Sequence, residues 1–374
     1  MSDDNTALQD PFKEIRPYRD TEVAEVLNRL LYNEEFIRVV TRYQFPRMAG
    51  AFGWLLRPLV RMALAREIGD VETIRDFQAR VAKYMEKMIV RSTTRMTCSG
   101  MERLDPDEAY LFISNHRDIA LDPAFVNWVL YKAGMNTARI AIGDNLLRKG
   151  YVSDLMRLNK SFIVNRSARG REMMTALNQL SAYIDHSISE GASIWIAQRE
   201  GRAKDGNDRT DPAILKMFYM SQRKQRSFGE AITRLNLVPV SISYEYDPCD
   251  AAKARELHAR ASDGCYAKGQ YEDLDSIVKG ITGLKGDVHV AFGEPIKGEF
   301  ESPEALAALI DREIIANYQL HSSNLIAADA ASEVTDEQRA AFQQRLDELE
   351  PGAQDIMRQM YANPLINKRN LEAP

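Results

Sequence analysis

His116 is the residue whose type and position first suggest acid–base chemistry. The apolar run at residues 109–114 predicts a buried strand, and His116 follows it in a short loop ahead of a helix expected from Pro123. Open α/β sheets place their sites in loops outside the carboxyl ends of the strands. An imidazole with a reference pKa of about 6.5 accepts a proton near neutral pH. We therefore predict that His116 is a general base.

Two aspartates are candidate partners for this histidine. Asp118 follows His116 after one intervening residue, and Asp122 follows it after five. A nearby carboxylate fixes the tautomer of an imidazole and stabilises the imidazolium that forms. Asp122 also fits a structural role, because Asp before Pro is a common start of a helix. Both roles can coincide, and one His–Asp pair does not establish catalysis, since paired groups are often structural.

Three further segments accompany the pair. In chain order they are Phe-Ile-Val-Asn-Arg at 162–166, Ile-Trp-Ile-Ala-Gln-Arg-Glu-Gly-Arg at 194–202, and Val-Pro-Val-Ser-Ile at 238–242. With Asn115-His116 and the aspartate that follows, they resemble the four blocks of the glycerophospholipid acyltransferase family, in the family's order. That family comprises the glycerol-3-phosphate and lysophosphatidate acyltransferases. The resemblance covers roughly residues 96–324.

The first block departs from the family pattern in its spacing. The family usually has four residues between the histidine and the aspartate, whereas five separate His116 from Asp122. The continuation Asp122-Pro123-Ala124 resembles the plastid-type glycerol-3-phosphate enzymes, whose box aspartate also precedes Pro-Ala. This resemblance favours Asp122 over its rival Asp118, and the loop has to absorb the extra residue.

The resemblance implies transfer of a fatty acyl group from acyl-CoA or acyl-carrier protein. The acceptor would be a hydroxyl of glycerol-3-phosphate or of a lysophospholipid such as 1-acyl-glycerol-3-phosphate. Arg166 closes the second block, and in the family this arginine is linked with the acceptor phosphate. Arginine suits that task because its planar fork grips phosphate oxygens in pairs. The predicted substrate-binding residues are Asn115, Arg166, Arg169, Arg171, Arg199, Glu200, Gly201 and Arg202.

Several of these residues have a simpler alternative. Glu200 either accepts hydrogen bonds from acceptor hydroxyls or pairs with an adjacent arginine. Gly201 either lets the backbone approach a ligand or only permits a turn. For the arginines outside the blocks, a solvated surface is the simpler interpretation.

Direct transfer without an acyl-enzyme is expected. None of the three cysteines, Cys98, Cys249 and Cys265, falls in a block, and Ser114 belongs to the strand end beside the histidine. No cofactor is predicted, and no metal, because the five histidines are scattered without metal-site spacing. Two other function classes stay open. One is a thioester or phosphoester hydrolase using the same His–Asp pair, and the other is a non-catalytic lipid-binding protein of the membrane surface.

The alternation of helical and strand-like patterns after residue 94 predicts how these residues are positioned. It indicates an α/β fold with a mostly parallel central sheet flanked by helices, an N-terminal helical region and C-terminal helices. We predict three regions: 1–92 as the helical region, 93–330 as the acyltransferase domain, and 331–374 as a C-terminal helix and tail. Within them, residues 212–235 and 332–360 are each expected to form one helix, with a loose tail from Ala362.

The segment at residues 36–68 is basic and rich in large apolar side chains. It holds one acid, Glu67, and Pro46 and Pro58 are each expected to kink or end a helix. It either lies in a lipid headgroup layer or forms a helical hairpin packed on the main domain. Its six arginines are Arg38, Arg42, Arg47, Arg57, Arg61 and Arg66.

Charge and residue composition indicate in which cellular compartment the protein lies and which classes of partner it binds. The formal charge of −5 argues against a general nucleic-acid binder. The sparse cysteines suit a reducing compartment, and the polar, acidic N-terminal stretch does not resemble a secretory signal. No window approaches 18 uncharged apolar residues, so no transmembrane helix is expected. We therefore expect a cytoplasmic protein that associates with the inner face of the cell membrane.

Overall fold

The computed structural model describes residues 10–267, 269, 272–330 and 334–373. The strands are β1 (Arg95–Ser99), β2 (Leu111–Ser114), β3 (Arg139–Gly143), β4 (Ser161–Val164), β5 (Ile194–Ala197), β6 (Leu237–Tyr244) and β7 (Asp287–Phe292). The first helices are α1 (Asp20–Leu31), α2 (Glu34–Gln44), α3 (Ala49–Ile68), α4 (Ile74–Ser92), α5 (Leu121–Lys132), α6 (Gly150–Leu158) and α7 (Gly170–Ser189). The others are α8 (Pro212–Tyr219), α9 (Phe228–Arg234), α10 (Asp250–Asp263), α11 (Glu272–Thr282), α12 (Pro303–Asn317), α13 (Ser322–Ala327), α14 (Asp336–Asp347) and α15 (Pro351–Glu372).

The chain divides into two compact units. The first contains the residues up to Tyr84 together with Arg139–Ala176, and the second contains Met85–Ala138 and Leu177–Pro374. This division differs from the three predicted regions, because a stretch from the middle of the chain groups with the N-terminal helices. Strands and helices alternate as predicted, and the fold class, a mostly parallel α/β fold with N-terminal and C-terminal helices, is confirmed.

The first unit is held together by the apolar face of α1. Val23, Val26 and Leu30 of α1 are buried with Leu158 of α6, and Tyr18 and Phe36 pack at the edge of this cluster. Strands β3 and β4 pair in parallel within the same unit. An amphipathic helix has to bury its apolar face, and the segment 139–176 supplies the partner for α1.

The basic segment at residues 36–68 forms most of α2 and all of α3, two helices that contact each other. Helix α2 begins where the Asn33 side chain accepts the Phe36 N–H (2.9 Å), and it ends before Pro46 as predicted. Pro58 does not end a helix: it lies inside α3, where it leaves one backbone carbonyl without its helical donor. Among the described residues, no helix is both long enough and apolar enough to cross a membrane.

The second unit contains a sheet in the order β1-β7-β6-β2-β5. Its neighbouring strands are parallel except for the antiparallel pair β6 and β7. All residues of β2 and β6 are buried, as expected of strands covered on both faces. Phe112 and Phe292 pack edge to face at the centre (5.6 Å between ring centroids), and burying each contributes roughly 2–3 kcal/mol.

Two predicted helices and the predicted tail are wrong in their extent. Residues 212–235 form α8 and α9 rather than one helix, because Ser227 and Glu230 make a capping box that starts a new helix. The described part of 332–360 divides between α14 and α15, because Pro351 is accommodated only in the first turn of a helix; residues 331–333 lie outside the described residues.

The C-terminal stretch is ordered and buried rather than loose. Helix α15 continues to Glu372, and residues 361–365 are buried. Tyr361 packs edge to face on Phe342 of α14 (5.2 Å between ring centroids) in a core shared with Tyr246 and Ala254. The apolar residues that the sequence places in this stretch therefore close a second core against α10.

Candidate active site

His116 lies in the loop between β2 and α5, and it is bonded to Asp122. Its Nδ1 is 2.8 Å from Oδ2 of Asp122, which is fully buried, while 14% of the histidine side chain is exposed. An ionised carboxylate only accepts hydrogen bonds, so the neutral imidazole donates from Nδ1 and keeps its lone pair on Nε2. Nε2 has no hydrogen-bond partner in the described part of the chain. This is the arrangement that a general base requires.

The Asp122 carboxylate is held by three donors besides the imidazole. The backbone N–H groups of Arg117 (2.6 Å) and Asp118 (2.9 Å) donate to Oδ2, and the Tyr244 hydroxyl donates to Oδ1 (2.6 Å). Burial and the negative charge of Asp122 raise the pKa of Tyr244 well above its ordinary value, so this hydroxyl stays a donor. The carboxylate that faces His116 is thereby fixed in one orientation.

Asp118, the rival candidate, has a different role in the structure. Its Oδ1 accepts the N–H groups of Ala120 and Leu121, both at 2.9 Å, at the start of α5. The helix thus begins at Leu121, and the predicted start with Asp122 as cap is wrong. Asp122 lies inside the first turn, and the turn organised by Asp118 accommodates the extra residue of this block.

The other oxygen of Asp118 is buried without a hydrogen bond. Among the described residues Oδ2 has no partner, and a Cβ built on Gly280 of α11 would lie 2.3 Å from it. Burial and, secondly, the negative charge of Asp122 raise the pKa of Asp118 to about 6 from its ordinary value of 3.8. Ionisation of Asp118 in the folded protein therefore costs free energy.

Asn115, predicted to bind substrate, is fully buried and bonded within the protein. Its Nδ2 donates to the carbonyl of Ile242 (2.9 Å) and to Asp208 (3.2 Å), and its Oδ1 accepts the N–H of Ile242 (2.8 Å). These bonds join the end of β2 to the neighbouring strand β6. They favour a positioning role over the predicted contact with a substrate.

An ion pair formed by Arg117, the residue after His116, was not predicted from the sequence. The guanidinium of Arg117 donates to Asp208 (2.6 Å), and both side chains are buried. The Lys253 ammonium donates to the Arg117 carbonyl (2.7 Å) and pairs with Asp247. These partners come from distant segments, and their local sequence has no spacing that identifies them.

Tyr244 could have been found from the strands alone. It closes β6, whose pairing with β2 is parallel and sets Ser114 opposite Val240. Strand β6 therefore continues four residues past the end of β2, on the edge where His116 lies. A tyrosine at that point is a candidate partner for a residue of the loop.

Residues of the third block and of the loop that continues it contact His116. Trp195 of β5 packs edge on against the imidazole, with 5.7 Å between ring centroids, and the Ala203 N–H donates to the His116 carbonyl (2.8 Å). Gly201 has a φ of +77°, so the turn itself requires glycine. The Arg202 side chain reaches Ser276 of α11 (3.3 Å). Two further members of the loop are exposed, namely Arg199 and Glu200.

The second block lies in the first unit. Arg166 follows β4, and its backbone N–H donates to Asp144 (3.1 Å). Arg169 donates from its guanidinium to the carbonyls of Arg166 (2.8 Å) and Ala168 (2.9 Å). The side chains of Arg166, Arg169 and Arg171 are exposed, and their contact with an acceptor phosphate stays a prediction.

Metal-ligating side chains do not converge in the described residues. No group of three or more His, Cys, Asp or Glu side chains there has the geometry to hold a metal ion. The Cys249 thiol is buried, and burial followed by the negative charge of Asp247 raises its pKa to about 11. This thiol is therefore protonated at neutral pH.

Comparison with known proteins confirms the resemblance over the central segment. Residues 95–243 match the family model described as Acyltransferase, and this segment contains His116, Asp122 and most or all of each of the four blocks. No curated protein matches the sequence at a significant level. The crystal structure of the 1-acyl-sn-glycerophosphate (LPA) acyltransferase PlsC from Thermotoga maritima is 16% identical, with a TM-score of 0.37. That match covers 75% of this chain and 94% of the other, and a likeness this remote carries no argument about substrate.

Proposed function

We propose that this protein, whose residues 95–243 match the acyltransferase family model, transfers a fatty acyl group from a thioester to a hydroxyl of a glycerol phosphate lipid precursor. The donor is acyl-CoA or acyl-carrier protein. The acceptor is glycerol-3-phosphate or a lysophospholipid such as 1-acyl-glycerol-3-phosphate. The observation that carries the proposal is the His116–Asp122 pair, whose Nε2 has no partner among the described residues and which lies inside the matched segment.

The reaction follows from the orientation of the imidazole. Nε2 of His116 takes the proton of the acceptor hydroxyl as its oxygen attacks the thioester carbonyl. The tetrahedral intermediate collapses, so that a C–O bond has formed and the C–S bond breaks. The leaving thiolate then takes the proton from the imidazolium of His116, which Asp122 stabilises until that point.

An acyl-enzyme is not needed in this scheme. The Ser114 hydroxyl is buried and donates to the Asn115 carbonyl (2.8 Å), so it is engaged away from the imidazole. The Cys249 thiol is buried and has a raised pKa, so it is a poor nucleophile at neutral pH. Both observations support direct transfer between donor and acceptor.

The acceptor phosphate is assigned to the arginines of the second and third blocks. Arg166 ends its block, and its exposed guanidinium has the planar fork that grips phosphate oxygens in pairs. The predicted assisting residues are Arg169, Arg171, Arg199, Glu200, Gly201 and Arg202. The family resemblance supports this assignment for Arg166 most directly.

The α2–α3 surface is assigned to a membrane on the cytoplasmic side. Large apolar side chains are exposed there, with Tyr43 75% and Trp54 72% accessible. Helices α2 and α3 and the turn between them carry six arginines and three acids, Glu34, Glu35 and Glu67, and this basic excess suits an anionic lipid surface. Substrates with acyl chains are delivered at such a surface.

Vesicle sedimentation tests the membrane assignment. Trp54→Ser combined with Leu59→Ser should reduce binding to anionic vesicles by about tenfold or more, because two large apolar side chains are lost. Leu371→Ser, on the exposed end of α15, is the matched control and should bind as the wild type does. Equal binding of all three proteins would remove this surface from the proposal.

The decisive experiment for the reaction is thiol release from acyl-CoA or acyl-carrier protein, with and without added acceptor. Release that depends on glycerol-3-phosphate or a lysophospholipid, with the acylated lipid found by mass spectrometry, is the expected result. Release at the same rate without an acceptor would identify a hydrolase instead. Vesicle binding with no turnover for either donor would identify a lipid-binding protein.

A further inference from the structure

The C-terminal helix α15 contacts the loop that continues the third block. This loop, residues 205–208, is here called the acidic loop. Helix α15 begins at Pro351, beyond the segment 95–243 that matches the acyltransferase family. Its contacts with the acidic loop are therefore outside what the family match describes.

Three consecutive residues of the acidic loop are bound by α15. The Asn363 side chain donates to the backbone carbonyl of Asp205 (2.5 Å). The Asn367 side chain donates to Oδ1 of the Asn207 side chain (3.0 Å). Between them, Gly206 has a φ of +80°. A Cβ built on it would lie 2.1 Å from the Met360 carbonyl oxygen, so the loop backbone lies directly against the helix.

The fourth residue, Asp208, contacts the histidine loop on both sides of His116. Its Oδ2 accepts from the Arg117 guanidinium (2.6 Å) and from the Asn115 amide (3.2 Å). The N–H of Arg117 in turn donates to the carboxylate of Asp122. A displacement of Asp208 would therefore move Asn115 and Arg117, which flank His116, and through Arg117 it would disturb the hydrogen bond to Asp122.

We propose that α15 is a positioning element of the active site, with Asn363 holding the acidic loop so that Asp208 fixes the loop of His116. This rests on the proposed acyl transfer. Asn363 touches neither substrate nor the reacting atoms in this scheme, and it acts through Asp205 and Asp208. Asn363 itself is buried and receives a hydrogen bond from Gln359, so its amide is held in one orientation.

The test replaces the donor of this contact without changing its shape. Asn363→Asp is isosteric and removes the N–H that binds the Asp205 carbonyl. Asn370→Asp makes the same change on the exposed end of the same helix and is the matched control. Melting temperature, steady-state kinetics with acyl-CoA and glycerol-3-phosphate or 1-acyl-glycerol-3-phosphate, and amide hydrogen exchange are measured for both variants and the wild type.

We expect Asn363→Asp to lower kcat/KM for the acceptor by about tenfold, because small misplacements of a base are costly. The donor KM should stay close to that of Asn370→Asp, and the melting temperature is measured separately because a buried carboxylate costs stability. Amides of residues 115–120 and 205–208 should exchange faster in Asn363→Asp alone. Unchanged kinetics, or unchanged exchange at residues 115–120, would overturn the proposal, as would an activity loss that only follows the melting temperature.

A second pair of variants keeps the test informative should Asn363→Asp fold poorly. Gly206→Ala introduces a clash with Met360, whereas Gly191→Ala has a similar φ (+79°) with no atom within 4 Å. Faster exchange at residues 115–120 in the first variant only supports the proposal, and equal exchange in both contradicts it. If the wild type transfers no acyl group, the proposed function fails, and the exchange data still decide whether α15 positions the loop.

Discussion

Two loops of this protein follow parallel strands and carry predicted functional residues, yet they are built differently. The histidine loop, residues 115–120, is largely buried, and the carboxylate of Asp122 in the first turn of α5 accepts from four donors. The arginine loop, residues 165–171, leaves its arginine side chains exposed. Its backbone is nevertheless held, because Asp144 accepts the N–H groups of Arg166 (3.1 Å) and Ser167 (3.2 Å).

The difference fits the two tasks that we propose for these loops. A base has to present one nitrogen in one orientation, which requires that its partner be fixed by buried hydrogen bonds. A phosphate anchor needs charge and reach, so a held backbone with exposed guanidinium groups is sufficient. Although burial alone would raise it, the hydrogen bonds from Ser167 and Arg166 hold the pKa of Asp144 below its ordinary value. The backbone of the arginine loop is therefore held, while its arginine side chains are exposed.

Replacement of His116 should have the largest effect on activity and tests the role of the histidine loop most directly. Replacing it with Ala should lower kcat by about 10³-fold, because the acceptor hydroxyl then has no general base. The control is His186→Ala, a histidine with 51% of its side chain exposed on α7, and it should leave kcat unchanged. Circular dichroism and melting temperature verify the fold. A His116→Ala protein that transfers acyl groups at near wild-type rate would refute the mechanism.

Variants of Asp118 and Asp122 should distinguish the roles of these two aspartates near His116. Asp122→Asn should lower kcat by about 10²-fold, because the amide no longer stabilises the imidazolium and disturbs the tautomer. Asp118→Asn should keep a rate close to wild type, since its Oδ1 can still accept the N–H groups that start α5. Steady-state kinetics of both variants decide the matter. A larger loss in Asp118→Asn would make Asp118 the catalytic partner.

The arginine loop should respond in binding rather than in rate. Arg166→Ala is expected to raise the acceptor KM by about tenfold with little change in kcat, because a charge-assisted contact to phosphate is lost. Arg223→Ala, an exposed arginine outside the blocks, is the control. An acceptor that lacks phosphate should be insensitive to Arg166→Ala. A change confined to the thioester KM would assign Arg166 to the donor.

The last prediction concerns stability and pH rather than activity. The folded-state pKa of Asp118 is about 6 against an ordinary value of 3.8, so the folded protein holds a proton there that the unfolded chain releases. Stability therefore falls as pH rises from about 4 to 6, and the loss is complete above that range. Asp118→Asn should raise the free energy of unfolding by about 2 kcal/mol at pH 8 and by much less at pH 4.

Urea unfolding at the two pH values checks this prediction. Asp107→Asn, on an exposed aspartate, should change neither value. A stability gain in Asp118→Asn of equal size at both pH values would show that the buried charge is not its cause.

Much of the architecture was predictable because buried strands are continuous apolar runs. The predicted strand at 109–114 contains β2, and the second and fourth blocks supply residues of β4 and β6. Periodicity is weaker where one helix follows another, so the α8–α9 and α14–α15 boundaries were missed. The sequence also indicated a loose tail, because burial by a distant helix such as α10 leaves no local pattern.

The sequence by itself determined the candidates for the chemistry: a histidine after a buried strand, two nearby aspartates and an arginine that closes a second block. Their types and order follow from local patterns, which a chain displays without folding. Tertiary structure decided which aspartate faces His116, because Asp118 and Asp122 differ in the N–H groups and hydroxyl that reach them. It also decided that Asp208 contacts Arg117 and that Asn363 contacts Asp205, since contacts across 90 residues or more depend on packing rather than spacing.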